Sequence, residues 1–371
     1  MNKTDIFVIA GESSGDAHSA RLIQDILSIK NNLSIHGIGG ARLKEQGVKI
    51  LYNYSEINYI GFVNIARKYF YLKSKLEYTA NKILELSPKV LILCDFPGFN
   101  LRIAKRIRKV YEGKIIYYIT PQVWAWHKSR VKQLKKYTDA CFTILPFEKE
   151  ILQKEGINAF YAGNPVLRQC EEYLVKANKE DITQKVVSIM PGTRKEEIAR
   201  ILPILNVIAK SLVLKYKFEV NLIGSDNIVK EFYNKYINID YVKLILPEKG
   251  RNLDAIYNSN FVITKFGTSN LECAFLCVPF VAVYKASIPN FIIAKTLVKL
   301  KYVSLVNIVM NKEIVKEYIQ NEFTPNNIVK ETERIFRDSS YRNNMLQEFG
   351  LLKNSFDKER VNPAEYICKE I

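Results

Sequence analysis

The sequence predicts an α/β protein built from two Rossmann-like, doubly wound domains. Three observations predict it. Short β-branched runs alternate with helical stretches along the whole chain, the pattern of parallel sheets made from βαβ units. The length of 371 residues exceeds the roughly 250–300 residues at which a single core stops growing. The third is QCEEYLVKANKEDITQK, residues 169–185, a polar stretch with no strand signal that divides the strands into two sets.

In chain order, the first set is IFVIA (6–10), VLILC (90–94), KIIYYIT (114–120), CFTIL (141–145) and a short strand near AFYAG. The second is KVVSIM (185–190), EVNLIG (219–224), VKLIL (242–246), FVIT (261–264) and FVAVY (280–284). The expected domains are therefore 1–168 and 185–339. With 48% hydrophobic and 25% charged residues the composition is that of an ordinary globular protein, but the formal charge is +17. Such a surface attracts anions, whether nucleic acid, anionic lipid headgroups or phosphorylated substrates. Lysine-rich genomic usage would raise the charge as well.

Several of the six cysteines lie in apolar runs, where a thiol behaves as a small hydrophobe. There is no CxxC pair, and Cys273 and Cys277 have no nearby His to complete a zinc site, so no metal is expected. The apolar run in MNKTDIFVIAGESSGD is too short for a secretory leader, and no 18-residue apolar span occurs. Any membrane contact is expected to be peripheral, on a cytoplasmic protein.

Ligands of doubly wound domains bind beyond the carboxyl ends of the strands, so the loops after each strand carry the candidates. After the first strand comes GESSGDAHSARLI. Gly11 allows a tight turn, Ser13 or Ser14 can cap the following helix, and Glu12 and Asp16 bring acids to the same region. An acid in a Gly turn beyond a sheet edge has little structural purpose, which favours a functional Glu12. In IHGIGGARLKEQG, Gly39 and Gly40 fit either a tight turn or close approach of a sugar or phosphate to backbone N–H groups. Asp95 leaves the buried run LILC as either a poised acid with raised pKa or an early helix cap. Asn100 can take the capping task instead.

In MPGTRKEEIAR, Gly192 turns the chain and Thr193 with Glu196 matches a capping box. Arg194 is left over in a first helical turn, where positive charge opposes the helix dipole unless an anion binds there. In KFGTSNLECAFL, Ser269 and Glu272 again match a capping box. Gly267, Thr268, Ser269 and Asn270 form a small-residue loop onto a helix start, suited to a diphosphate.

Together and in this order, these motifs resemble the lipid-A-disaccharide synthase family. The matching stretches are GESSGD, GGARLKEQG, IGFV, DFPGFNLRIAKRIRK, PQVWAWHKSRVKQLKK, ILPFEKE, GNPV, PGTRKEEI, GTSNLECA, VAVYK and YVSLVNIV, spanning roughly residues 6 to 330. The resemblance implies a GT-B glycosyltransferase, two Rossmann-like domains facing a cleft, with helices 340–371 returning to the first domain. It implies transfer of 2,3-diacylglucosamine from UDP-2,3-diacylglucosamine to the 6-hydroxyl of 2,3-diacylglucosamine 1-phosphate. An α-linked donor then gives a β-linked product, so the anomeric centre inverts. One base takes the acceptor proton, and Arg194 with the 267–270 loop suits the departing diphosphate without metal or cofactor. Asn307, in YVSLVNIV, joins the implied donor residues with Gly192, Thr193 and Glu272. The family's D-x-P-D-F-N reads DFPGFN here, so its second acid is Gly98, and an acid often found after IGFV is Asn64. Asp95 is the expected base and Glu12 the second choice.

In PQVWAW, Gln122, Trp124 and Trp126 form a loop beyond the strand KIIYYIT, read as the wall of an acceptor site with the basic HKSRVKQLKK beside it. Edge-of-core packing is the plainer use of such rings. The interleaving of aromatic and base-reading groups needed for nucleic acid is missing. In FVNIARKYFYLKSKL, Phe62, Ile65, Tyr69 and Leu72 share one helical face that Phe70 widens, flanked by Lys and Arg. That stripe fits a core or a foot on the anionic inner face of the inner membrane. The rival readings are another UDP-sugar enzyme, such as a UDP-N-acetylglucosamine 2-epimerase, and a non-catalytic basic lipid or nucleic-acid binder.

Overall fold

Strand runs that are apolar at every position, rather than at alternate ones, must be covered on both faces. That requirement builds the architecture. The computed structural model describes residues 4–58, 69–124, 128–177, 185–225, 228–238, 240–246, 252–287, 291 and 301–371. The chain divides into one unit of Met1–Gly163 with Lys358–Ile371 and a second of Asn164–Asp357.

The first unit runs β1 (Ile6–Ala10), α1 (Ser13–Ile29), β2 (Ile35–Gly39), α2 (Ala41–Glu45), β3 (Lys49–Asn53), α3 (Tyr69–Leu86), β4 (Val90–Cys94) and α4 (Pro97–Ile107). It continues with β5 (Lys114–Tyr118), α5 (Lys128–Tyr137), β6 (Ala140–Thr143), α6 (Glu148–Lys154) and β7 (Ala159–Tyr161). Its seven strands are all parallel, in the order β3-β2-β1-β4-β5-β6-β7. β1 is buried throughout. Phe7 and Ile9 enter one core with Leu91 and Leu93, while Ile6, Val8 and Ala10 enter the opposite core with Ile23 and Ile26.

The second unit starts with α7 (Pro165–Leu174), then β8 (Val186–Met190), α8 (Lys195–Tyr216), β9 (Glu219–Ile223), α9 (Lys230–Asn234), β10 (Lys243–Ile245) and α10 (Asn252–Tyr257). There follow β11 (Phe261–Lys265), α11 (Ser269–Phe275), β12 (Phe280–Tyr284), α12 (Leu305–Met310), β13 (Glu317–Ile319), α13 (Pro325–Arg337) and α14 (Ser339–Ser355). Its six parallel strands take the order β10-β9-β8-β11-β12-β13, the same winding as the first sheet.

Three features differ from the sequence expectation. IHGIG is strand β2 rather than part of a glycine turn. A Cβ on Gly37 would stand 2.5 Å from the Val8 carbonyl oxygen, so the glycine there serves close strand approach. The second unit begins at Asn164, because helix α7 packs with it. The return to the first unit begins at Lys358, not near 340. The Phe349 ring in α14 stacks on Phe280 at 5.7 Å, and Phe356 meets Phe275 edge-on at 5.2 Å, which ties that helix to the second sheet. Only the last helix, α15 (Pro363–Glu370), crosses back. It buries Ala364 and Ile367 in the α1 side of the first core. No described helix is long and apolar enough to cross a membrane.

Candidate active site

Each sheet reverses its winding beside its first strand, between β1 and β4 and between β8 and β11. Doubly wound folds bind ligands beyond the carboxyl ends of the strands at such switch points. In the first unit Gly11 and Glu12 follow β1, and Asp95 follows β4. A Cβ on Gly11 would stand 2.1 Å from the Phe96 ring, so only glycine lets the two turns close together. Glu12 precedes α1 in extended backbone and makes no side-chain cap bond. Its carboxylate instead accepts the Ser14 hydroxyl at 2.6 Å.

Asp95 and Phe96 are both left-handed, with φ of 44° and 43°. Two such residues in succession cost about 1–3 kcal/mol each and persist only where neighbours hold them. Here Asn100 donates to the carbonyls of Cys94 (3.1 Å) and Asp95 (2.8 Å), and the Tyr117 hydroxyl donates to the Asp95 carbonyl at 2.6 Å. Asn100 is thus a strap inside α4 rather than its cap; the N-cap position is Phe96. Burial, then the charge of Glu12, pushes the Asp95 carboxyl up to about 6, against the Phe96 main-chain N–H and the Arg130 guanidinium.

A third acid stands at the same edge. Glu148 is buried and accepts the Trp124 indole N–H at 2.8 Å and the Leu145 N–H at 3.1 Å. Burial lifts it to about 7; the hydrogen bonds oppose the shift and the charge of Asp95 adds to it. Sequence reasoning passed over Glu148 and Arg130. The only available signal for Glu148 was its place in LPFEKE, directly after a strand.

In the second unit a Cβ on Gly192 would meet the Lys265 side chain at 2.8 Å, so the β8 turn closes on the last residue of β11. Lys265 pairs with Glu197 at 2.6 Å and lies 5.7 Å from the Tyr284 ring centre. Arg194, about half exposed, reaches the other oxygen of Glu197 at 3.3 Å. Two cations thus share one carboxylate at the switch point. Lys265 was overlooked in the sequence, although it opens the stretch KFGTSN. Its carbonyl accepts the Asn270 amide (3.1 Å) and the Ser269 hydroxyl (3.3 Å). Asn270 therefore repeats the role of Asn100. Glu272, half-buried, is lifted to about 7 by burial.

The capping boxes are not formed. The N-cap of α8 is Arg194, one residue beyond Thr193, and makes no side-chain cap bond. The N-cap of α11 is Thr268, while Ser269 bonds Thr264 at 2.8 Å. In both helices the N-cap position falls one residue away from where the Thr/Ser–Glu spacing puts it. Asp16 and the Gly39–Gly40 pair are explained together. The Asp16 carboxylate accepts the N–H of Gly40 (2.6 Å) and Arg42 (3.1 Å) at the start of α2, and a Cβ on either glycine would crowd it within 3 Å. These glycines therefore make room for a helix anchor.

Asn307 is buried. Its amide is spent within its own unit, accepting Ile314 N–H (2.8 Å) and Val315 N–H (3.1 Å) and donating to the Val315 carbonyl and Glu317. It clamps the segment before β13. Gly98 is exposed with open space where a Cβ would lie, so nothing at that position excludes the second acid of the D-x-P-D-F-N pattern. Gln122 is exposed. The apolar stripe is split: Phe70 (83%) and Tyr69 (55%) are exposed, while Leu72 packs against the core. Phe62, Asn64, Ile65 and Trp126 lie outside the described residues.

Solved structures share this architecture. The UDP-GlcNAc 2-epimerase from Neisseria meningitidis bound to UDP-GlcNAc superposes with a TM-score of 0.64 at 13% identity, covering 95% of this chain and 97% of that one. The glycotransferase of kitacinnamycin gives 0.62 at 12%, with 100% of both chains covered. At such identity the likeness is one of fold. The sequence relatives are more telling. Lipid-A-disaccharide synthase 1 of Legionella pneumophila (strain Paris) is 29% identical over 97% of this chain and 95% of its own length. Lipid-A-disaccharide synthase of Myxococcus xanthus (strain DK1622) is 32% identical over 93% and 91%. The model of the family described as Lipid-A-disaccharide synthetase matches residues 6–371. By that match, which runs through both switch points, the chain is a glycosyltransferase and belongs to the lipid-A-disaccharide synthetase family.

Proposed function

We propose that the protein transfers 2,3-diacylglucosamine from UDP-2,3-diacylglucosamine to the 6-hydroxyl of 2,3-diacylglucosamine 1-phosphate. The products are the β-1,6-linked disaccharide 1-phosphate and UDP, with inversion at the anomeric carbon. One observation carries the reading: a carboxyl raised to about 6 on a strained turn at the first switch point, Asp95. A base of that strength is ionised at neutral pH yet basic enough to take a hydroxyl proton as the hydroxyl attacks. Glu12, whose charge helps to raise Asp95, is the companion acid.

The second unit would hold the donor. Arg194 and Lys265 are the cations at its switch point, Gly267, Thr268, Ser269 and Asn270 form the small-residue loop, and Glu272 lies one turn on. A diphosphate that gains charge as it departs is stabilised by cations already fixed in place. In this reading the paired Lys265 would bind the leaving group and the exposed Arg194 would close on it. The first unit would take the acceptor, with its acyl chains in a membrane reached peripherally through Tyr69 and Phe70 at the cytoplasmic face of the inner membrane.

The test is UDP release in detergent from the acylated UDP donor, with and without the acylated monosaccharide phosphate, and identification of the product's linkage. Release that needs the acceptor and yields a β-1,6 disaccharide phosphate is expected. Turnover of unacylated UDP-N-acetylglucosamine instead would overturn the substrate assignment.

A further inference from the structure

The reaction above gives Glu148 and Trp124 no defined task, yet both are held with unusual care. Glu148 is 3% exposed, and a carboxylate that water cannot reach is expensive unless donors surround it. The donors are present: the indole N–H of Trp124 at 2.8 Å on one oxygen, and the main-chain N–H of Leu145 at 3.1 Å on the other. The flank of the indole is fixed too, since Phe147 meets it edge-on at 5.2 Å between ring centres. Asp95, Trp124 and Glu148 follow β4, β5 and β6, three adjacent strands. A position needing only bulk beneath Trp124 would be filled more cheaply by an apolar side chain.

We propose that Glu148 is a positioning residue acting through Trp124: by holding the indole N–H it fixes the ring as a platform on which the acceptor sugar stacks with its 6-hydroxyl toward Asp95. The proposal rests on the glycosyl-transfer reading above. Its chemistry is general. The C–H face of a pyranose packs on the electron-rich face of an indole, and a ring pinned at its N–H and along one edge leaves a face in a set orientation. Reacting atoms displaced by about 1 Å can lose about a hundredfold in rate, so a pinned platform matters more than a merely present one. The titratable and charged groups around this arrangement are Glu12 before α1, Asp95 after β4, Tyr117 on β5, Arg130 on α5 and Glu148 itself.

The decisive experiment compares full-length wild type, Glu148→Gln, Trp124→Phe and the double variant. Gln keeps the shape but offers one acceptor oxygen to two donors, so it cannot hold the indole N–H and the Leu145 N–H together, and the indole loses its fixed, charged partner. Phe removes the same hydrogen bond from the other side. Two quantities are read: the Michaelis constants for donor and acceptor, and the change in indole emission when 2,3-diacylglucosamine 1-phosphate is added alone. Each single variant should raise the acceptor constant about fivefold to tenfold, the size of one lost aromatic contact, with the donor constant unchanged. The double variant should be no worse than the worse single, because both break one linkage. Trp124→Phe should remove the emission change. Multiplying effects in the double variant, or wild-type acceptor binding by Glu148→Gln, would overturn the proposal. The emission measurement needs no turnover, so a wild type that binds the acceptor without making disaccharide would sink the reaction assignment alone. One that does neither sinks both.

Discussion

At the scale of single residues, Asp95 carries the most testable chemistry. Its folded pKa of about 6 lies above its ordinary 3.8, so the folded protein holds this proton more tightly than the unfolded chain does. The stabilisation from that difference is complete below about pH 4 and is lost as pH rises through about 6. Asp95→Asn should therefore raise stability at pH 7.5 by about 1–2 kcal/mol, after discounting for partial solvent access. Asn is also among the residues that best tolerate left-handed backbone, so the φ of 44° is no obstacle. Turnover should fall about 10²- to 10⁴-fold, the usual contribution of a general base. In the wild type, kcat/KM should decline on the acid side with a limb near pH 6. A stabilised Asp95→Asn variant that kept most of its turnover would pass the base's role to Glu12.

At the scale of elements, helix starts decide which side chains are free for function. Asp16 anchors α2 from 24 residues away, whereas Thr193 is exposed and caps nothing. Asp16→Ala should cost about 1–3 kcal/mol, because it leaves buried N–H groups without an acceptor. Thr193→Ala should stay within about 0.5 kcal/mol. Thermal melts of the two variants measure both, and a reversed order would restore the capping box that the sequence suggests. The same elements show what was legible. Strands such as Ile6–Ala10 and Val90–Cys94 announce themselves because burial on both faces demands an unbroken apolar run. That Glu12, Asp95 and Arg194 lie just beyond strand ends was legible because the fold fixes where a strand ends. The contacts of Asp16, Asn307, Lys265 and Glu148 were not legible because each is defined by a partner elsewhere along the chain, which no local spacing records. Strand Glu317–Ile319, only three residues long and half-buried, left no pattern at all.

At the scale of the whole molecule, chain connectivity and net charge set the last two expectations. Residues 358–371 return to the first unit, where Ala364 and Ile367 fill its core and the Tyr366 ring meets Phe142 and Phe160 at 5.4 and 5.3 Å. A chain ending at Asp357 would expose that apolar surface on α1, so it should become protease-sensitive within residues 4–163 while the second unit stays resistant. A chain cut that way but equally resistant throughout would make the last helix dispensable. The charge of +17 has two possible uses, holding the protein on anionic lipid or drawing in anionic substrates. They separate on vesicles. Basic residues near an anionic surface contribute about 1 kcal/mol each and act within a Debye length, about 10 Å at 0.1 M salt. Phe70, 83% exposed beside this charge, would add about 1.5–3 kcal/mol if its ring enters the acyl region, and that part does not fade with salt. Co-sedimentation with phosphatidylglycerol vesicles should therefore weaken between 0.05 and 0.5 M salt for wild type, and Phe70→Ser should bind less at both. Binding that neither salt nor Phe70→Ser altered would free this surface from any membrane role and leave the charge to the phosphorylated substrates.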